Sequence, residues 1–239
     1  MTAQHWRGFM VCQLLGLGLL ASWLLPATRA LWDTADQAIF YALNGTLNPA
    51  PSLWGAFWAL LSFRPMDLLA LFSLLPFLLI PDLLIQKNQR ATACIQLFLI
   101  LAIMLAVRLV VREITDTLEW RGFSPSRTLQ PVYFLSQLYP HLNPKDASNA
   151  SFPGDHAAVL MIVVSFLLLQ RINRWSVFIL AVLLLFLMPR LIAGAHWFTD
   201  VVVGGTLIAT QSMAYGYFTP WPKRWAEQLA QRWVPERWR

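Results

Sequence analysis

Long apolar runs recur along this chain, separated by short charged turns. The first covers residues 9–27 and is preceded by His5 and Arg7. Others lie near 66–85 (through Pro76 and Pro81), 91–111, His156 to Gln170, 175–192 and 197–217. Each approaches the roughly 20 apolar residues a helix needs to cross a bilayer. None alternates with period two, which excludes a membrane barrel. The pattern predicts an all-α polytopic membrane protein, a bundle of six transmembrane helices kinked at Pro189 in the fifth.

Three stretches break the pattern. Leu31, Ala35, Ile39 and Ala42 recur at helical spacing beside Asp33, Asp36 and Gln37, which predicts a helix along the outer interface. Leu53 to Phe63 is apolar and Trp-rich but too short to span, and it leads into the second span at Arg64-Pro65 and Asp67. Residues 112–155 form one long polar loop, whose aromatic segment Val132 to Tyr139 is expected to rest on the membrane surface. The tail, 219–239, holds Lys223, Arg224, Arg232, Arg237 and Arg239 with four tryptophans and reads as an amphipathic interfacial helix. The chain thus divides into a membrane domain, 1–218, and a basic tail, 219–239.

Composition agrees. Of 239 residues, 57% are hydrophobic and 13% charged, about half the charge of a soluble domain. The net charge of +6 does not indicate nucleic acid, because the basic residues fall mostly at span ends. Ala27-Thr28-Arg29-Ala30 resembles a signal cleavage site, but the length of the first apolar run favours a retained anchor. Cys12 and Cys94 lie inside apolar runs as membrane residues, with no zinc spacing.

Six spans put both termini on one side. The turns at 87–90 and 171–174 and the tail are basic, hence cytoplasmic. The long loop, His156, Arg190, His196 and Asp200 then converge on the opposite, periplasmic face.

Ionisable residues at span ends are costly and usually functional. His196 and Asp200, four apart, would share a helix face. Asp200 would hold one ring nitrogen of His196 and leave the other free as nucleophile or base. His156 would protonate a leaving oxygen. Arg190 supplies forked donors for phosphate, and main-chain N–H groups at Gly154 and Asp155 would face the same anion. Together these groups read as phosphoryl transfer through a phosphohistidine. No metal or other cofactor is expected, for want of a carboxylate cluster.

The spacing Arg190-x5-His196-x3-Asp200, after Pro153-Gly154-Asp155-His156, resembles the type 2 phosphatidic acid phosphatase superfamily of membrane lipid phosphatases. Pro189 stands where the family's third motif has serine. Gly154 removes a hydroxyl from its second motif, Pro-Ser-Gly-His. The first motif, Lys-x6-Arg-Pro, is broken; Arg121 is the best carry-over for its arginine, with Arg112, Arg127 and Lys145 as candidates for the missing cation. The stretches 145–156 and 194–200, the first anchor and Phe63-Arg64-x-x-Asp67 resemble the inner-membrane branch of Gram-negative bacteria that acts on lipid A. This resemblance implies transfer of the distal phosphate of undecaprenyl diphosphate to the 1-phosphate of lipid A. It implies that Arg190 and Arg121 neutralise the phosphate and that Lys145 contacts a second anionic head group. The competing readings are a lipid phosphatase with water as acceptor and a non-catalytic lipid transporter or scaffold. The second is disfavoured because no span centre carries a charge.

Overall fold

The computed structural model describes residues 3–120 and 122–235. Arg121, Arg237 and Arg239 lie outside the described residues. Among these residues all regular structure is helical. Helix α1 is Ala3–Leu24 and α2 is Pro26–Asn44, the latter opened by a proline that lacks the N–H a first turn would leave unsatisfied. Ser52 caps α3 (Leu53–Ser62) by accepting the Gly55 N–H at 3.1 Å. After a 79° bend, α4 follows at Met66–Leu79. The long α5 is Arg90–Thr117. The loop beyond it carries two single turns, α6 (Pro125–Thr128) and α7 (Leu135–Leu138). Then come α8 (Asp155–Gln170), α9 (Trp175–Ile192), a π-helical stretch at Asp200–Gly205 that runs into α10 (Thr206–Gly216), and α11 (Pro220–Trp233).

Three helical segments among the described residues are long and apolar enough to cross a membrane: His5–Leu24, Lys87–Thr117 and Trp175–Ile192. The bent pair α3–α4 makes a fourth if it is one span. Six were expected. The shortfall is one of length: α8 has 16 residues, about 24 Å of helix against a hydrocarbon core of about 30 Å.

The core is built around α8. Its Ile162, Phe166 and Leu167 are fully buried with Leu74 of α4, Ile100 of α5, Ile179 of α9 and Ile208 of α10. Large apolar side chains also point outward, among them Phe72, Phe98, Leu109 and Val177. A bundle surrounded by lipid turns such faces out and keeps its polar groups in.

Helix α2 shows the same inversion, with Leu31 71% exposed. The buried stripe is Asp36, Phe40 and Asn44. Asn44 bonds Ile192 O at 3.0 Å, Tyr133 O at 3.1 Å and Tyr133 N at 2.9 Å. The segment Val132 to Tyr139 is anchored in the protein. Leu135 and Tyr139 are buried in the core, and the Tyr139 hydroxyl donates to Ser52 O at 2.7 Å while accepting from Ser52 N at 2.6 Å. A tyrosine needs a partner for its hydroxyl when its ring is buried, and the turn before α3 supplies one.

Candidate active site

The chain breaks after α9 at Gly194, whose φ of +76° is open to glycine at little cost. This turn throws the chain back across the end of α9: Ala195 and His196 both donate their N–H to Arg190 O, at 2.9 and 3.2 Å. The next helix begins at Phe198, so His196 stands outside it, not on a shared helical face. What joins His196 to Asp200 is a cap. Asp200 Oδ2 accepts the Trp197 N–H at 2.8 Å, as the third helical residue does in a capping box, and the same oxygen lies 3.3 Å from His196 Nδ1. His196 and Asp200 are 6% and 2% exposed, which shields the pair from water.

Opposite His196 stands His156, in the first turn of α8, with ring centroids 5.7 Å apart. The His156 Nε2 is buried and has no partner. Two imidazoles therefore face one another, with His196 held from behind by Asp200.

The cleft between them has a volume of about 210 Å3 and is walled by cations: Arg64, Lys145 and Arg190. Arg190 is 3% exposed and fixed at both ends of its fork, donating to Ser62 O at 2.6 Å and to Asp67 Oδ2 at 2.7 Å. The same Ser62 carbonyl accepts the Lys145 N–H at 3.0 Å, so one oxygen sets two cations side by side. Burial lowers the Lys145 pKa, and the charges of Arg190 and Arg64 lower it further. A lysine with a depressed pKa loses its charge, and its hold on an anion, earlier as pH rises. Inhibition by sulfate, whose charge is constant over this range, should therefore weaken below the pH at which a solvated lysine titrates. Lys145→Gln should remove that alkaline loss; an unchanged alkaline limb in the variant would remove Lys145 from the anion's surroundings.

Of the residues expected from the sequence, the cleft brings together His156, His196, Arg190, Lys145 and Asp155, with Asp200 behind His196. Asp155 reaches the cleft as a side chain pinned by Arg108, whose Nε and Nη2 lie 2.7 and 2.6 Å from its Oδ2. Gly154 does not serve as expected. Its N–H donates to Asp200 O at 2.9 Å and is not free for an anion. Arg112 lies against Asp116 at 3.6 Å, and neither Arg112 nor Arg127 lines the cleft. Arg64 and Asp67, read from the sequence as the start of a span and as part of the resemblance but not as site residues, are in it. The signal for them was a charged pair at the end of an apolar run.

A carboxylate-held histidine, a second histidine and a buried arginine fork at the end of a helical bundle suit phosphoryl transfer. Residues 120–225 match the model of the PAP2 superfamily. Over 213 residues the chain is 29% identical to "Lipid A 1-diphosphate synthase" of Escherichia coli (strain K12), covering 88% of this chain and 87% of that protein. No solved structure matches.

Proposed function

We propose that the protein transfers the distal phosphate of undecaprenyl diphosphate to the 1-phosphate of lipid A through a phosphohistidine at His196. The observation that carries this reading is the facing pair of histidines in a cleft lined by Arg64, Lys145 and Arg190. His196 Nδ1 is occupied by Asp200, which leaves Nε2 to attack phosphorus. The P–N bond forms as the bridging P–O bond breaks, and undecaprenyl phosphate departs with a proton from His156. His156, now neutral, takes up any acceptor proton as a 1-phosphate oxygen of lipid A attacks and the P–N bond breaks. Arg190, Lys145 and Arg64 hold the charge spread over the transferring group; Arg121 joins them by the family resemblance alone.

A second cavity of about 180 Å3, walled by Leu68, Leu71, Val159, Leu160 and Phe186, shares Asp67 and His156 with the polar cleft, which supports a substrate with an apolar chain. A phosphorylated lipid can set its charge in one and its chain in the other. Asn88, Gln170 and Lys223 line one cavity, which supports placing the basic turns and the tail at a common, cytoplasmic end. The reading therefore keeps six crossings of the bacterial inner membrane, with α8 and the Asp200–Gly216 segment as short spans, and a periplasmic cleft.

Rapid quenching with donor labelled in its distal phosphate tests this directly. Acid-labile label should appear on His196, and adding lipid A should divert label from free phosphate to lipid. Equal release of free phosphate in both tubes would make water the acceptor. A label that never reaches the ring would remove the intermediate.

A further inference from the structure

The buried stripe of α2 lies against the whole segment that carries the catalytic dyad. Asn44 holds Ile192 O at the end of α9. Phe40 lies so close to Gly194 that a Cβ there would sit 2.8 Å from its ring. Asp36 grips Thr199 twice: Oδ1 accepts the Thr199 N–H at 2.9 Å and Oδ2 accepts its hydroxyl at 2.6 Å. These three residues are spaced by four, one helical stripe. They meet the chain at 192, 194 and 199, on either side of His196.

We propose that α2 is a splint for the phosphoryl-accepting loop, and that Asp36 is its positioning residue, acting on the His196–Asp200 pair through Thr199. This rests on the reading of His196 as nucleophile. Asp36 does not touch the catalytic cleft. It lines a different cavity, of about 370 Å3, together with Asp33, Arg29 and the far side of Asp200. Asp36 and Thr199 are 6% and 3% exposed. A carboxylate is placed in such a site only at a cost in hydration, and burial pushes its pKa up to about 6, against the two Thr199 bonds that lower it. Thr199 is covalently next to Asp200, so a shift of its main chain moves the carboxylate that orients His196. The splint comes from residues 26–44, outside the stretch 120–225 that matches the PAP2 superfamily. It therefore adds to that stretch a brace from the other half of the chain.

A residue that orients the nucleophile without touching substrate changes kcat and leaves KM alone. Asp36→Ala should lower kcat roughly 10- to 100-fold, the scale of a small misplacement at a reacting centre, with KM unchanged within twofold. Thr199→Ala should lower it less, because its N–H remains. Thr199→Ser, which keeps the hydroxyl, should restore it. In the double variant Asp36→Ala, Thr199→Ala the second change should add nothing, since the hydroxyl then has no acceptor to lose. His196→Ala runs alongside. If it is inactive while Asp36→Ala turns over normally, the splint is refuted and the nucleophile stands. If it stays active, the nucleophile falls and the splint with it. Additive losses, or a KM that rises with the fall in kcat, would also refute the splint. Should Asp36→Ala not fold, Asp36→Asn and the Thr199 pair decide: equal kcat for Thr199→Ala and Thr199→Ser overturns the proposal.

Discussion

His196→Ala is expected to abolish turnover, by about 10^4-fold or more, as loss of a nucleophile does when its partners act as a unit. The fold should survive. The His196 side chain has one polar partner, Asp200, and that carboxylate keeps its second bond to the Trp197 N–H, so the start of the following helix stays capped. The main chain at 196 keeps its bond to Arg190 O. Transfer of labelled phosphate and a thermal melt, run on one preparation, separate the two effects: activity gone, midpoint moved by a few degrees. Retained turnover would place the nucleophile elsewhere, and His156, with a buried and unpartnered Nε2, is the next candidate. Asp200→Asn should be milder, because the amide oxygen can still accept one of the two bonds while tautomer control is lost.

Gly154→Ser is expected to inactivate the protein rather than improve it. The motif resemblance suggests the reverse, since serine at this place would restore the hydroxyl of the second motif. The structure excludes it. A Cβ on Gly154 would lie 2.8 Å from Asp200 O and 3.2 Å from Asp200 C, both main chain. Main chain cannot swing aside as a flexible side chain can, so the start of α8 must move away from the Asp200 turn. His156 travels with α8 and Asp200 with the turn. Their separation is the geometry that faces one histidine toward the other. A displacement of about 1 Å there costs about 10^2-fold in rate, and the overpacking itself costs roughly 1–3 kcal/mol. Gly154→Ala should do the same, which tells steric effect from hydroxyl chemistry. A serine variant more active than the parent would show that the hydroxyl reaches phosphate and that the two segments are less tightly packed.

The alternation of apolar runs and charged turns gave the helical class and most helix positions, because the 20-residue requirement of a bilayer leaves a strong mark on sequence. It did not show that α2 turns Asp36, Phe40 and Asn44 inward. It gave His156, Arg190, His196 and Asp200 through spacing alone. It did not show that Asp200 works by capping, that Gly154 spends its N–H on Asp200, or that Arg64 and Asp67 close the cleft. The cleft itself depends on contacts across more than 100 residues, such as Arg190 with Asp67 and with Ser62, and no local pattern encodes them. Asp36 was in plain view as one of several acidic residues on an interfacial helix. Nothing in its neighbours announced that its partner was Thr199.

The carbonyl of Ser62, which receives both the Arg190 guanidinium and the Lys145 amide, joins positions 128 and 83 residues apart. While the polypeptide is still emerging from the ribosome, its first third can enter the bilayer with that oxygen unsatisfied and no anion seat beside it. The pair of cations is brought together only once the last third has been synthesised, so a chain that ends before Arg190 lacks half of it.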